Sequence, residues 1–367
     1  MNVHIVGTGS HLPGSAIDND TLERFVGPLP SDVLDGIQVR QRHWIADPLT
    51  GEHSQSNADM AFAACTAALE ASPVTAADIG LIIVSTASPD YLLPPMVTLL
   101  QDRLGLAECA TVEIRSGCAG FVEALETARL MLASGAFDTA LVVGSEAISP
   151  LLVPVFRGRD PHRVRMRERL GLYSFGDGAG AVVLRREGDP SRDADGGLRP
   201  AAFRCVGGGL KPGMQIIGGG TATPIHRQLA GKRLIDLQVD VVASATLTPT
   251  VIAKGLDHVL DRAGLDAARV DLCVLPEGNA AYLTEEIEKA GFLSDNWAAV
   301  QPRIFENLAT VGATGSAAVP IALDEAWRAG RLRPGDEVML LAIETSKWKY
   351  AGTVVTWTAP APPESTR

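Results

Sequence analysis

Apolar and polar positions fall into two alternating patterns along this chain. Short continuous apolar runs such as Leu81-Ile82-Ile83-Val84 have the length of buried strands, while longer stretches such as Ala61 to Ala71 carry small and apolar residues at helical spacing. This reading predicts strands at Val3 to Gly7, Gly80 to Thr86, Thr111 to Arg115 and Thr139 to Ser145. Helices are predicted over Ala61 to Ala71, Val97 to Leu104 and Phe121 to Ser134. Residues 185–200 are polar and rich in Asp, Gly and Arg, so they read as an exposed connection. The order then repeats. Val270 to Leu275 is a strand, Leu283 to Ala290 a helix, Ile304 to Asn307 a strand end, Ser316 to Gly330 a helix and Glu337 to Ile343 a strand. A period of roughly 190 residues is far too long for a solenoid and predicts one α/β unit duplicated, with halves at 1–184 and 185–367.

Composition narrows the function classes. The 367 residues are 46% apolar, enough for a large core. Glycine is plentiful, at 37 residues, and aromatics make up only 5%, which favours tight turns and close packing of helices on sheets. A net charge of −11 without a long basic stretch argues against nucleic acid or an anionic membrane as partner. The five cysteines are scattered with no C-x-x-C pair, so neither a metal site nor a disulfide framework is expected. The opening Met-Asn-Val-His-Ile-Val-Gly reads as a strand entering a turn, and the apolar runs are too short to span a bilayer. A soluble, cytoplasmic protein is the expectation.

One cysteine has a distinctive setting. Arg115-Ser116-Gly117-Cys118-Ala119-Gly120-Phe121 lies between a predicted strand and a predicted helix, and small residues flank the sulfur. A thiol at a helix N-terminus is expected to have a lowered pKa and more thiolate, the form that attacks a thioester. The same residues also suit a small buried cysteine at a tight junction. Cys65, Cys109, Cys205 and Cys273 read as ordinary packing or loop residues.

Taken with other motifs in register, this segment resembles the β-ketoacyl-acyl-carrier-protein synthase III family of the thiolase superfamily, over nearly the whole chain. Gly7-Thr8-Gly9-Ser10-His11-Leu12-Pro13 is similar to its opening strand and turn, and Arg40-Gln41-Arg42-His43 to its R-x-R-H segment. Cys118-Ala119-Gly120-Phe121 is similar to its nucleophile motif and Phe175-Gly176-Asp177-Gly178-Ala179-Gly180-Ala181 to its F-G-D-G-A-G-A signature. Ala322-Leu323-Asp324-Glu325-Ala326 and Arg333-Pro334-Gly335 fit its last helix and turn. The resemblance implies a thiolase fold, a five-layer α/β/α/β/α arrangement of two duplicated halves. It also implies a homodimer, a phosphopantetheine thioester of an acyl carrier protein or coenzyme A as substrate, and no tightly bound cofactor.

The departures from the family carry more information. Condensing members have a histidine in P-H-Q-A-N and an asparagine in G-N-T-S that stabilise an enolate. This chain has Pro276-Glu277-Gly278-Asn279 and Gly312-Ala313-Thr314-Gly315, with Glu277 and Ala313 at those positions. A carboxylate repels an enolate and alanine donates nothing, so a loss of about 3–4 kcal/mol per donor would cripple decarboxylative condensation. What remains resembles the acyltransferase branch that serves natural-product pathways such as polyketide and antibiotic biosynthesis. There an acyl or aryl group on Cys118 would pass to a hydroxyl, an amine or a carrier thiol.

The resemblance assigns further roles. Glu277 is the candidate base for the acceptor, with its pKa expected to rise in an apolar funnel. Asn279 is expected to replace part of the lost hydrogen bonding, and His226, in a Gly-rich stretch able to fold over the pocket, is a second candidate base. Gly207 to Gly220 reads as a mobile loop. The family's oxyanion donors correspond to the N–H of Cys118 and of Ser346, where the late glycine loop reads Thr345-Ser346-Lys347-Trp348. Trp348 would rebuild the pocket wall. Arg169, in a run with Arg157, Arg159, Arg163, Arg165 and Arg167, matches the arginine at the nucleotide end of coenzyme A, and Arg40 is a second substrate contact. Leu93 belongs to a loop expected to enter the partner subunit's pocket. Two other readings stay open: a C–C bond-forming ketoacyl synthase with Glu277 as an altered base, and a non-catalytic dimer partner. A polyketide synthase or carrier protein is an expected partner, with a small-molecule acceptor.

Overall fold

The structure is a computed structural model that describes residues 2–187, 196–231 and 236–362. Its strands form two main sheets. In the first half β1 (Val3–His11), β2 (Leu81–Ser85), β3 (Ala110–Ile114), β4 (Thr139–Glu146) and β5 (Gly178–Arg186) assemble in the order β1-β5-β4-β2-β3. β3 and β2 pair in parallel, as do β2 and β4, and the pairs β4 with β5 and β5 with β1 are antiparallel. In the second half β6 (Gly197–Leu198), β7 (Ala202–Cys205), β8 (Leu272–Val274), β9 (Ile304–Phe305), β10 (Glu337–Glu344) and β11 (Lys349–Thr356) follow the same plan. β9 and β8, then β8 and β10, are parallel, while β11 is antiparallel to β10 and to both β6 and β7. Two sheets with one topology are what a duplicated α/β unit produces.

The sheets are buried on both faces, which is why β4 and β10 are uninterrupted buried runs rather than alternating ones. Helix α1 (Asn57–Glu70) and helix α2 (Met96–Arg103) cover the outer face of the first sheet, where Met60, Ala64 and Leu100 meet Ile82, Leu141 and Val183. Helix α3 (Gly120–Ala133) lies between the sheets. Helix α4 (Val241–Ala263), helix α5 (Ala280–Lys289) and helix α6 (Asp295–Val300) cover the outer face of the second sheet. Helix α7 (Ala318–Arg328) joins α3 in the middle, where Phe121, Leu125, Leu323 and Trp327 pack with Val142, Leu184, Leu340 and Val355. The layers are therefore α/β/α/β/α, the five-layer thiolase fold. Alanine in α1 lets that helix sit directly on β1, and a Cβ on Gly9 would lie 2.3 Å from the Ala68 nitrogen.

Three local expectations change. Residues Met214–Ile217 are not free loop, because they pair with Asp236–Val239 in a separate two-stranded sheet. Of the predicted exposed connection at 185–200, Arg185 and Arg186 still belong to β5, Gly197–Leu198 form the buried strand β6, and 188–195 lie outside the described residues. The F-G-D-G-A-G-A signature is structural. Asp177 is buried and accepts hydrogen bonds from the N–H groups of Ile45 (2.8 Å), Ile148 (2.6 Å) and Ser149 (2.9 Å), and from the Ser149 hydroxyl.

Candidate active site

Cys118 sits on a single 3-10 turn, Gly117–Ala119, that leads from β3 into α3. The equivalent turn of the second half, Gly315–Ala317, leads into α7 with Ser316 in its middle. The two turns touch: the Ser316 hydroxyl donates to the Gly117 carbonyl at 2.7 Å and lies 3.0 Å from the Ser85 hydroxyl. The nucleophile thus stands where the central helices of both halves begin, next to the pseudo-twofold.

Three carboxylates surround it: Glu344, Glu277 and Glu146. Glu146 and Glu344 end β4 and β10 at equivalent places, since Ala140 pairs with Leu81 as Val338 pairs with Leu272, and each glutamate lies equally far beyond. Each carboxylate reaches across to the other half. Glu146 accepts from the Ser316 N–H at 3.5 Å, and Glu344 accepts from the Cys118 N–H. Glu146 is further held by the Ala87 N–H at 2.9 Å and the Ser88 hydroxyl at 2.5 Å. The other oxygen of Glu344 accepts from the Ser346 N–H at 2.6 Å. The two expected oxyanion donors, Cys118 N–H and Ser346 N–H, do converge, and they converge on a carboxylate of the chain itself.

This arrangement corrects the expected ionisation of the thiol. Burial, then the charges of Glu344, Glu277 and Glu146, and a hydrogen bond to Glu344 push the Cys118 thiol well above its ordinary range. As a residue Cys118 is only partly buried, in contrast to the fully enclosed Cys65 and Cys273. Lys349, on the adjacent strand β11, is engaged elsewhere, pairing with Glu123 at 2.7 Å and donating to the Ser116 hydroxyl.

Gly117 makes the contact with Glu344 feasible. Its φ is +58°, and a Cβ there would fall 1.8 Å from Glu344 Oε2. Gly117→Ala is expected to destabilise the fold by about 1–3 kcal/mol through backbone strain and displacement of the carboxylate, seen as a lower urea midpoint. An unchanged midpoint would mean the turn relaxes freely.

Glu277 follows β8 and is partly buried. Burial, with the Glu344 charge second, pushes its carboxyl up to about 8, against a backbone hydrogen bond from Ile343 that pulls the other way. It also lines a mainly apolar cavity of about 390 Å³ walled by Val33, Ile37, Leu170, Val241, Pro249 and Ile252. Ala313 offers only its methyl group. Its N–H donates to the Ser174 carbonyl at 2.9 Å and its carbonyl accepts from Gly176 N–H at 3.1 Å.

Several expected contacts serve other purposes. Asn279 is the N-cap of α5: its carbonyl oxygen accepts from Tyr282 N–H at 2.8 Å and its amide donates to Gln38 at 2.6 Å. Its oxygen is taken by the helix cap and one of its two N–H donors by Gln38. Arg169 clamps backbone, donating to the carbonyls of Pro28, Pro161 and Val164, and is not presented to a phosphate. Trp348 is not pocket wall. With φ +57° its indole turns into the outer core, 1% exposed, donating to the Lys211 carbonyl at 3.0 Å and packing on Gly213. His226 is exposed on the short helix Ile225–Ala230 and is not among the groups acting on Cys118. Arg40 is exposed and lines a polar cavity of about 350 Å³ beside Gly278 and Asn279. Leu93 is 79% exposed, in a patch with Tyr91 and Leu92.

Glu344 and Glu146 were not singled out in the sequence. The signal was available in the internal repeat: carried past Val143 and Leu341, it sets Glu146 opposite Glu344, an acid at the end of each central strand. Among the described residues no group of acids, histidines and cysteines is arranged to hold a metal ion, and no helix is long and apolar enough to cross a membrane.

The five layers, the duplicated sheets and a cysteine at the joint of the two halves define a thiolase-fold enzyme. The family model for 3-oxoacyl-[acyl-carrier-protein] synthase III matches residues 112–196, and the model for its C-terminal part matches residues 260–357. A beta-ketoacyl-[acyl-carrier-protein] synthase III of Xanthomonas campestris pv. campestris is 33% identical over 92% of this chain and 93% of its own length. One from Desulfitobacterium hafniense is 28% identical over 97% and 98%. The chain belongs to the beta-ketoacyl-[acyl-carrier-protein] synthase III family. Among solved structures, AbyA1, a tetronic acid condensing enzyme, is similar at 28% identity with a TM-score of 0.80, covering 96% of this chain and 99% of that one. The priming beta-ketosynthase of the R1128 polyketide pathway shares the fold, at 22% identity and a TM-score of 0.77, over 99% of this chain and 97% of its own.

Proposed function

We propose that this family member is an acyltransferase working by a ping-pong route through Cys118. The sulfur takes an acyl or aryl group from a carrier-protein or coenzyme A thioester and passes it to a hydroxyl, an amine or a carrier thiol in natural-product biosynthesis. The observation that carries this reading is a retained nucleophile faced by an acid where an enolate trap would be needed. Glu277 acts on Cys118 electrostatically, and Ala313 has no side-chain donor. Once ionised, which its carboxyl is above about pH 8, Glu277 is unsuited to stabilising a developing enolate but suits an acceptor that must lose a proton. In this reading Glu277 is that base, the chain works as a cytoplasmic homodimer without a tightly bound cofactor, and the exposed Tyr91-Leu92-Leu93 patch belongs to the dimer contact.

A second reading has Glu277 remove a proton from carbon, giving a C–C bond. The likeness to AbyA1, a tetronic acid condensing enzyme, favours it. Such a carbon acid would have to be more acidic than a simple acyl thioester.

Intact-protein mass spectrometry after mixing with acyl and aryl thioesters tests the route. A mass gain on the peptide that carries Cys118 is expected, and no gain with any thioester would leave the non-catalytic dimer partner as the better description. Release of the acyl group to an acceptor should rise about tenfold per pH unit below 8, as Glu277 loses its proton, and level off above it. Glu277→Gln should load normally, unload slowly and lose that slope. Normal unloading by this variant would remove Glu277 from the scheme. Detection of a new C–C product would select the second reading.

A further inference from the structure

The resting site poses two obstacles to acyl loading. The thiol is protonated, and both N–H groups that should hold a thioester oxygen are taken by Glu344. One residue stands at both points. The Glu344 carboxylate, 1% exposed, accepts from Cys118 N–H and from Ser346 N–H, and among the nearby acids its charge acts most strongly on the Cys118 thiol. The duplicated half offers a comparison: Glu146 caps the turn of Ser316 in the same way, where no thiol stands. Neither His226 nor Asn279 is in a position to take the proton, because the first is exposed on another element and the second is spent on an N-cap.

We propose that Glu344 is the proton acceptor for Cys118 in acyl loading, and that accepting the proton is what frees the two N–H groups for the thioester oxygen. This rests on the acyl-transfer reading above. In the step, the Sγ–H bond breaks and its proton moves to Glu344. The sulfur's electron pair forms the bond to the acyl carbon, and the bond from that carbon to the pantetheine sulfur breaks. The proton then leaves Glu344 for that sulfur, giving a free thiol and acyl-Cys118 with no change in oxidation state. Hydrogen bonds to a carboxylate are about twice as strong as those to a neutral group, so protonation weakens the hold of Glu344 on both donors at the moment a carbonyl oxygen gains charge. Glu277 is left for the second half-reaction, so the two acids serve the two transfers.

The test compares wild type, Glu344→Gln and Glu344→Ala in two reactions at pH 7. Loading is followed by mass gain with acetyl-, hexanoyl- and benzoyl-coenzyme A. Alkylation of Cys118 is followed with iodoacetamide, which needs the thiolate but develops no oxyanion. Both variants are expected to load on the order of 100-fold more slowly, the contribution typical of a positioned base. Both should alkylate faster than wild type, because a negative charge beside the sulfur has gone. A misfolded site would also load slowly and alkylate fast, so the buried Cys65 and Cys273 are the control: their continued resistance to iodoacetamide, with an unchanged urea midpoint, reports the fold intact. Loading by both variants at the wild-type rate or faster would overturn the proposal and make Glu344 an obstruction in the oxyanion site. A wild type that loads with none of the three thioesters, while still alkylating at Cys118, would instead sink the acyl-transfer reading and Glu344's role with it.

Discussion

Cys118→Ala is expected to give no acyl adduct with any thioester that modifies the wild type, while unfolding at nearly the same urea concentration. The loss is complete because the bond to the acyl group is made by the sulfur, and the other four cysteines offer no replacement. Cys65 and Cys273 are enclosed, with thiols pushed far up by burial, and Cys109 and Cys205 lie elsewhere in the sequence, before β3 and at the end of β7. The effect on the fold is small because the side chain is only partly buried and alanine is accepted by the 3-10 turn. Its removal also deletes a thiol that contributes no packing comparable to the Phe121 or Leu125 side chains. A change within about 0.5–1 kcal/mol is the expectation. Residual adduct on the alanine variant, mapped to another residue, would show that the nucleophile is misassigned.

Asp177→Ala should have the largest effect on stability, about 3–5 kcal/mol or more. The carboxylate is fully buried and is the shared acceptor for three backbone N–H groups and one hydroxyl drawn from two segments, the strip around Ile45 and the start of the helix Ser149–Phe156. Alanine leaves those donors facing a dry interior, at about 1–3 kcal/mol each before relaxation. Against a typical total of about 5–15 kcal/mol, that is enough to unfold much of the protein at moderate temperature. Burial raises the Asp177 carboxyl while its hydrogen bonds oppose that shift, so Asp177→Asn, which keeps the shape and one acceptor oxygen, should cost less. Chemical denaturation of the two variants checks this. Equal stability of Asp177→Ala and wild type would mean that water replaces the carboxylate.

The strands and helices that the pattern predicted lie within a few residues of those observed, because both sheets are buried on both faces and their strands appear as apolar runs; β5, β11 and the long helix α4 were not predicted. The turn that carries Cys118 was legible for a similar reason: small residues crowd where two halves of the fold meet. Individual side-chain roles were harder to read. Asn279 looked like a spare donor near the site, yet it precedes a helix whose free N–H groups claim it first. Arg169 looked like a phosphate contact, yet three backbone carbonyls, one from a distant loop and two from the turn just before it, converge on it. Trp348 looked like pocket lining, and a left-handed backbone at that residue turned its ring the other way.

By itself the sequence determined the duplicated α/β unit, the buried strands, and the pairing of a lone thiol with an acid where a condensing enzyme needs a histidine. The first two follow from local pattern, and the third from the resemblance to the synthase III family. Only the tertiary structure decided the state of that thiol. Glu344 lies 226 residues further along the chain and reaches Cys118 because two strands of opposite halves end at one point. Proximity of that kind depends on how the halves dock, and both the burial and the nearby acids that push the thiol up arise from that docking.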